Sequence, residues 1–262
     1  METNVIYNEN CLDTMAQMKN DCIDLVLTSP PYDGLRNYNG YSFPFEKIAK
    51  ELFRVINQGG VCVWVVGDSV IDGSESGTSF KQALYFKEIG FNLHDTMIYQ
   101  KDVMPFPEQT RYNQCFEYMF VLSKGKPKTF NAIKEKTQGY KPSKTSTTRN
   151  ADGTTEGLKY EQGKDERSLF NIWKFGCGYN KTTNDKIAFQ HPAMFPEDLA
   201  KKHIYTWSNE NDIVYDCFGG AGTTAKMAHL QKRKWIISET SKEYVEIMNK
   251  RLHPYLSQTM LF

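Results

Sequence analysis

The 262-residue sequence predicts an α/β fold with a mostly parallel, twisted sheet and helices on both of its faces. Short apolar runs alternate along the chain with segments whose apolar residues recur at helical spacing, as in sheets built by right-handed crossovers. Residues 61–66, Val-Cys-Val-Trp-Val-Val, are apolar throughout, which is typical of a strand buried on both faces. The same rhythm returns from residue 191, after a polar and basic stretch.

Residues 22–122 predict the first half of this sheet. Residues 22–28, Cys-Ile-Asp-Leu-Val-Leu-Thr, are mostly apolar and end at a Pro-Pro pair, which indicates a strand followed by a turn. Apolar residues at helical spacing predict a helix over residues 45–56, and we expect Gly59-Gly60 to end it. The other elements predicted in this half are a helix over 79–89 and strands over 91–100 and 116–122.

Residues 191–262 predict the second half of the sheet, which holds a helix over 196–205, a strand over 212–215, a helix over 222–230, a strand over 235–238 and a helix over 242–252. Between the halves, residues 140–168 contain few apolar side chains, so they bury too little surface to form a core and predict a loop. Trp173, Phe175 and Tyr179 follow this stretch. They either stack on a ligand or pack into the core, and we favour the core.

The formal net charge is only +1, but it is unevenly distributed. Residues 124–181 carry thirteen Lys and Arg against six Asp and Glu, a net of +7 that leaves −6 for the remainder. Such a block suits a surface that faces phosphates, although a solvated loop has the same composition. The six cysteines are scattered without metal-ligand spacing, so we expect no metal. No long apolar run or basic-then-apolar leader occurs, which predicts a cytoplasmic protein without a membrane span.

The first motif with a chemical interpretation is Ser29-Pro30-Pro31-Tyr32, directly after the predicted strand at 22–28. The nitrogen of an exocyclic amino group is a poor nucleophile because its lone pair is conjugated into the ring. The Ser29 hydroxyl and the Pro30 carbonyl could accept hydrogen bonds from both N–H groups and free that lone pair. Two prolines hold the local carbonyls stiffly, and Tyr32 could stack on a base turned out of the duplex. An ordinary strand-ending turn is the alternative.

The second motif covers residues 216–224, Asp-Cys-Phe-Gly-Gly-Ala-Gly-Thr-Thr, after a predicted strand and at the start of a helix. Glycines allow a ligand to approach the backbone, and a helix N-terminus offers free N–H groups. Glu239 lies nineteen residues after Gly220, at the end of the next predicted strand, where an acid suits the diol of a ribose. No Gly-Lys-Ser/Thr follows the glycines, which disfavours a triphosphate site.

The pair of motifs resembles the amino-methylating DNA methyltransferases of restriction–modification and phage systems. This resemblance covers nearly the whole chain and implies a Rossmann-like methyltransferase fold that binds S-adenosyl-L-methionine. The motif order resembles the family's β arrangement, with a catalytic half at 1–126, an inserted target-recognition region at 127–190 and a cofactor-binding half at 191–262. The implied cofactor residues are Asp216, Phe218, Gly220, Gly222, Thr223, Thr224, Glu239, Pro192, Phe195 and, by a partial match to a family segment, Asp13.

The resemblance also implies the partners of the protein. They are double-stranded DNA, a second copy in a homodimer and a cognate restriction endonuclease, in a bacterial, archaeal or phage setting. The product of the cofactor would be S-adenosyl-L-homocysteine. Candidate contacts to DNA are Arg36, which follows the first motif, and Lys141, Lys144 and Arg149 in the insertion.

The chemical target is the N4 amino group of cytosine by resemblance, because Ser as the first motif residue accompanies that base in the family and Asp accompanies adenine N6. Adenine N6 methylation by the same mechanism therefore stays open, as does a non-catalytic relative that only binds DNA. Cytosine C5 methylation is disfavoured because no Pro-Cys dipeptide occurs. An RNA or protein-glutamine methyltransferase would share the Pro-Pro-Tyr chemistry, but the basic insertion favours a DNA duplex.

Overall fold

A computed structural model describes residues 1–31, 43–102, 110–136, 147–157, 165–179 and 181–257. The chain forms two compact units. The larger contains Met1–Asn131 and Asn171–Phe262, and the smaller contains Ala132–Phe170. The smaller unit falls inside the range predicted for the insertion, 127–190, whose exact limits stay a prediction.

The larger unit is built on a sheet that has eight strands among the described residues. The strands are β1 (Val5–Tyr7), β2 (Ile23–Thr28), β3 (Ile56–Val66), β6 (Asn92–Asp102), β7 (Phe116–Ser123), β12 (Ile172–Gly176), β13 (Ile213–Asp216) and β14 (Lys234–Ser238). A hairpin of β4 (Val70–Ile71) and β5 (Ser74–Glu75) follows β3. The sheet order is β1-β14-β13-β2-β3-β7-β6-β12.

Strand direction confirms the predicted α/β class with a mostly parallel sheet. Strand β7 pairs antiparallel with both β3 and β6, and the other described pairs in this sheet are parallel. Strands β2 and β13 are neighbours although they lie at opposite ends of the sequence. Their carboxyl ends therefore meet at one edge of the sheet, where ligands of open α/β sheets bind.

Helices cover the sheet. They are α1 (Cys11–Ala16), α2 (Phe45–Val55), α3 (Thr78–Glu88), α4 (Glu197–Trp207), α5 (Thr223–Leu230) and α6 (Lys242–Leu256), with a 3₁₀ helix over Lys186–Gln190. Helices α1–α3 bury Met15, Leu52 and Phe86 in one core cluster with Trp64 of β3 and Phe120 of β7. Neighbouring positions on each strand point the opposite way, so Met119 lies on the other face, where it contacts His203 of α4.

The predicted role of Gly59-Gly60 is wrong. Helix α2 ends at Val55, and β3 begins at Ile56 and runs through both glycines. The ladder between β2 and β3 shifts register over this stretch, which indicates a bulge. Gly59 has φ +80°, and a Cβ there would lie 3.0 Å from Lys128 Cβ, so the bulge requires glycine. The glycines thus bend a strand instead of ending a helix.

The smaller unit consists of short strand pairs with little core. Strand β8 (Lys134–Lys136) pairs with β11 (Glu166–Ser168), and β9 (Thr147–Arg149) pairs with β10 (Thr155–Gly157). All residues of β9, β10 and β11 are exposed. Three of these strands, β9, β10 and β11, therefore interrupt the range 140–168 that the composition predicted to be a loop, while the scarcity of apolar side chains agrees with their exposure.

The aromatic residues that follow this unit are divided between core and surface. Trp173 and Phe175, on β12, are buried, which confirms the predicted core role for these two. Trp173 packs against His203, with 4.7 Å between the ring centroids. Tyr179 is 62% exposed, so its predicted core role is wrong.

Candidate active site

A cleft of about 1410 Å³ opens at the carboxyl edge of the sheet in the larger unit. Ser29, Pro30 and Pro31 line it at the end of β2, and the loop after β13 lines it alongside. Further along the wall lie the end of β14 and the segment 191–195. The fold therefore brings the two motifs, almost two hundred residues apart in sequence, to one cavity.

The Asp216 side chain joins the two motifs. Its Oδ1 accepts hydrogen bonds from the Thr28 hydroxyl at 2.6 Å and from the Phe218 backbone N–H at 3.0 Å. Its Oδ2 accepts one from the Thr224 hydroxyl at 2.7 Å. The carboxylate thus ties the residue before Ser29 to the first turn of helix α5.

Burial governs the electrostatics of Asp216. Desolvation raises the pKa of its carboxyl, and the hydrogen bonds from Thr28, Thr224 and the Phe218 N–H oppose that rise. The residue is only 2% exposed. Because three protein donors already occupy this carboxylate, Asp216 is suited to holding the loop in shape and less suited to direct contact with a cofactor.

The glycine loop is shaped by close contacts. Gly220 has φ +50° and Gly222 has φ +76°. A Cβ at Gly220 would lie 3.0 Å from the His191 ring, and one at Gly222 would lie 2.8 Å from Met248 Cγ. Both the left-handed backbone and the tight packing require glycine, which leaves the start of α5 accessible to the cleft.

Glu239 lies at the end of β14 and faces the same loop. Its Oε2 accepts a hydrogen bond from the Gly220 N–H at 2.9 Å, and its Oε1 accepts one from the Ser241 N–H at 2.9 Å. Desolvation raises the pKa of this carboxyl, and the backbone donors oppose that rise. The half-buried carboxylate is held in position and lines the cleft, as a ligand for a diol must be.

The segment 191–195 forms another wall of the cleft. His191 Nδ1 accepts a hydrogen bond from the Ala193 N–H at 3.1 Å, and the imidazole packs edge-on against Tyr244 with 4.3 Å between centroids. Pro192 and Phe195 line the cavity, where they were predicted to meet a cofactor. This segment adds apolar surface to the cleft beside the glycine loop, because the His191 ring lies next to Gly220.

A buried ionic network holds the loop from behind. Arg251 of α6, whose side chain is fully buried, donates to the Ala221 carbonyl at 2.8 Å and to the Thr223 hydroxyl at 3.0 Å. The same guanidinium pairs with Asp185 at 2.8 Å and with Glu197 at 2.6 Å. Lys226 pairs with both carboxylates, at 2.8 and 2.7 Å. These residues were not predicted from the sequence, because their spacing follows no local pattern.

Most, but not all, of the predicted site residues line the cleft. Those that line the cleft are Ser29, Pro30, Pro31, Pro192, Phe195, Asp216, Phe218, Gly220, Thr223 and Glu239. Gly222 and Thr224 support the loop without lining the cavity, and Asp13 is exposed on α1 away from its wall, where Glu9 and Cys11 take part instead. Arg149 is exposed on β9 in the smaller unit, and Tyr32, Arg36, Lys141 and Lys144 lie outside the described residues.

Comparison with known proteins assigns this chain to a family. A sequence profile for the N6/N4 family, described as DNA methylase, matches residues 23–250. The chain belongs to the N6/N4 DNA methylase family. It is therefore a DNA methyltransferase that acts on an amino group, at N4 or N6.

Relatives of this DNA methylase agree with that assignment over most of the chain. The orphan methyltransferase M.BamHII of Bacillus amyloliquefaciens is 57% identical over 243 residues, which cover 90% of this chain and 91% of that protein. The cytosine-N4-specific PvuII DNA methyltransferase has the same fold, with a TM-score of 0.70 at 20% identity over 96% of this chain and 86% of its own. A DNA modification methylase of Thermus thermophilus, solved with S-adenosyl-L-methionine, has a TM-score of 0.65 at 18% identity over 97% and 94%.

Two further features of this DNA methylase concern only the residues that the structure describes. Among them, no helix is both long enough and apolar enough to cross a membrane. Within the same ranges, no group of three or more His, Cys, Asp or Glu side chains is arranged to hold a metal ion.

Proposed function

We propose that the protein transfers a methyl group from S-adenosyl-L-methionine to the exocyclic N4 amino group of cytosine in double-stranded DNA. The observation that carries the proposal is the position of Ser29. It follows β2 and lines the same cleft as the glycine loop, beside Pro30 and Pro31. Serine at this motif position accompanies cytosine N4 in the family that the sequence resembles.

Ser29 and Pro30 activate the amino group. The Ser29 hydroxyl and the Pro30 carbonyl accept hydrogen bonds from its two N–H groups, which draws the nitrogen toward tetrahedral geometry and frees its lone pair. The Pro31 ring restricts ψ of Pro30 to extended values, so the Pro30 carbonyl keeps its direction. The amine becomes acidic only once it is methylated, so its proton can pass to water without a strong general base or a covalent enzyme intermediate.

The cofactor end of the cleft lies beside β13 and β14. When bound, the cofactor supplies a methyl group on a sulfonium sulfur, which keeps the bonding electron pair and leaves as S-adenosyl-L-homocysteine. Glu239 would hold the ribose diol. Phe218 and Gly220 would contact the cofactor from the glycine loop, and Pro192 and Phe195 would contact it from the segment 191–195. The fit rests on the preorganised Glu239 carboxylate and on the glycine loop, where Cβ atoms would collide with neighbouring side chains.

The basic segment 124–181 would carry the DNA duplex, with Lys141, Lys144 and Arg149 as phosphate contacts. Arg36, which follows the first motif, would contact the DNA near the extruded base. Tyr32 would stack on the extruded base, a contact worth about 1–3 kcal/mol, which is comparable with the cost of unstacking. A homodimer and a cognate restriction endonuclease stay proposals that rest on the family resemblance alone.

Nucleoside mass spectrometry of unmethylated duplex DNA, incubated with the protein and S-adenosyl-L-methionine, tests the proposal. We expect N4-methylcytosine, and we expect Ser29→Ala to lower its yield at least about tenfold because the amino group then has one acceptor fewer. Ser74→Ala, an exposed serine in the β4–β5 hairpin, is the matched control. N6-methyladenine in place of N4-methylcytosine would overturn the choice of base and leave the class of enzyme unchanged.

A further inference from the structure

We propose that the hydroxyl of Thr28 is a positioning group that fixes Ser29 and Pro30 against the glycine loop after β13. Thr28 is the last residue of β2, directly before Ser29. Its hydroxyl donates to the Asp216 carboxylate, which begins the glycine loop after β13. The inference rests on the proposed role of Ser29 as an acceptor for the amino group.

The first observation that supports a positioning role for Thr28 is the place of this hydrogen bond in the sheet. The described backbone pairs between β13 and β2 are Val214 with Leu25 and Tyr215 with Val26. Beyond them the two strands continue to Asp216 and Thr28, where the side-chain bond of 2.6 Å takes over from the backbone ladder. The hydrogen bond thus joins the strands at the point where both motifs begin.

The second observation that supports this role is that three donors share the Asp216 carboxylate. One carboxylate accepts from Thr28, from the Phe218 N–H and from Thr224, so β2, the loop and helix α5 are held to a single group. Thr28 is fully buried and Asp216 is 2% exposed, so water does not replace a missing donor. Hydrogen bonds to buried charges are shorter and stronger than neutral ones, which makes this junction stiff.

These hydrogen bonds predict which step depends on Thr28. Without its hydroxyl, Thr28 also loses a long contact of 3.6 Å from the Cys217 thiol, but Asp216 still accepts from Phe218 and Thr224. The glycine loop therefore keeps its shape and its cofactor affinity. The part that becomes loose is the end of β2, which carries Ser29. Transfer needs reacting atoms within about 3–3.5 Å, and a displacement of about 1 Å can lower the rate about a hundredfold. Thr28 therefore affects kcat more than cofactor binding.

Three variants of the full-length protein test this. Thr28→Val keeps the shape of the side chain and removes the hydroxyl, and Thr28→Ser restores a hydroxyl at the same position. Thr206→Val is the matched control, because the Thr206 hydroxyl on α4 is buried and has no hydrogen-bond partner within the described part of the chain. Each is measured for transfer of labelled methyl groups to DNA regardless of base, for S-adenosyl-L-methionine affinity by calorimetry, and for Tm.

We expect Thr28→Val to lower kcat about 10- to 100-fold while changing cofactor Kd less than about twofold. Thr28→Ser should recover most of that activity, and Thr206→Val should match the wild type. The inference fails if Thr28→Val keeps full kcat, or if kcat, Kd and Tm decline together as they would for a general packing defect. Should the valine variant be insoluble, Thr28→Ala, which adds no bulk, gives the same comparison.

The proposed function and the role of Thr28 can be tested separately. Counting total methyl transfer makes the Thr28 comparison independent of whether cytosine or adenine is the target. A wrong choice of base shows in the identity of the modified nucleoside. A wrong role for Thr28 shows in the ratio of variant to wild-type kcat.

Discussion

At the scale of single residues, Glu239 is the strongest candidate for a direct cofactor contact. Its two oxygens accept from Gly220 and Ser241, which aims the remaining lone pairs of a half-buried carboxylate at the cleft. We expect Glu239→Gln to weaken S-adenosyl-L-methionine binding about tenfold, because the amide loses one acceptor and sets an NH₂ group against a backbone N–H. Calorimetric titration measures this.

Glu243→Gln is the control for that change. Glu243 lines the same cleft from the first turn of α6 but is exposed, so removing its charge should alter the affinity little. Equal effects from the two substitutions would show that only the overall negative charge of the cleft matters. That result would remove the specific role of Glu239.

The buried imidazole of His203 predicts, at the residue scale, how the stability of the fold depends on pH. Burial lowers its pKa to about 3, with a smaller contribution from Lys202, whereas the unfolded chain binds this proton below an ordinary value of about 6.5. As pH falls from 6.5 toward 3, the unfolded state therefore gains the proton first and the folded state loses stability. The slope from this group approaches about 1.4 kcal/mol per pH unit.

Denaturant unfolding between pH 7 and pH 4 measures that slope. His203→Leu should remove it, because leucine fills the site against Met119 and Trp173 without titrating. His253→Leu, at an exposed position on α6, should leave it unchanged. Parallel curves for the wild type and His203→Leu would contradict the assignment.

At the residue scale, the sequence indicates candidate site residues where they form a contiguous pattern. Ser29-Pro30-Pro31 and the loop after β13 were predicted from local sequence, and the fold places both in one cleft. The bond from Thr28 to Asp216 joins positions 188 apart, and no local spacing indicates it. Asp13 was selected by similarity to a short segment, and its exposure on α1 gives that assignment no support.

At the scale of elements, helix α6 supports the glycine loop through Arg251, which donates to the Ala221 carbonyl and the Thr223 hydroxyl. Removing the fully buried guanidinium leaves the partly buried carboxylates of Asp185 and Glu197 with one cation, Lys226. We expect Arg251→Met to lower the free energy of unfolding by about 3 kcal/mol, because breaking a buried ion pair on one side leaves one carboxylate charge uncompensated. Urea unfolding gives this value.

The matched comparison is Lys232→Met. Lys232 lies 3.8 Å from Glu210, and both side chains are more than half exposed, so removing the ammonium should cost at most about 1 kcal/mol. Similar decreases for the two variants would mean that the network around Arg251 contributes no more than a surface pair. Its proposed support of the loop would then lack an energetic basis.

Element-scale prediction depended on how a pattern ends. The helix at 45–56 and the strands that follow were predicted because their apolar residues repeat with a clear period. Gly59-Gly60 was interpreted as a helix stop, yet it forms a bulge in β3. Glycine permits both, and only the neighbouring strand β2 and the close approach of Lys128 decide between them. The order of the strands in the sheet could not be predicted from local sequence either, because it depends on pairing between strands from the two ends of the chain.

At the scale of the whole molecule, charge is separated along the chain. Residues 124–181 carry a net of +7 and the remainder carries −6. We therefore expect a duplex to be attracted to this basic segment. Neutralising phosphates releases counterions, so affinity should fall steeply as salt rises.

We expect the triple variant Lys141→Gln, Lys144→Gln, Arg149→Gln to flatten the plot of log Kd against log salt. The slope should change by about 0.9 for each phosphate that is no longer neutralised, or about 3 in all, while cofactor affinity stays constant. The control removes the same charge from exposed lysines outside the basic segment, as Lys47→Gln, Lys50→Gln, Lys81→Gln. Fluorescence anisotropy with labelled duplex gives both slopes. If the two triples flatten the plot equally, net charge governs DNA binding; if only the first does, the basic segment is the DNA-binding surface.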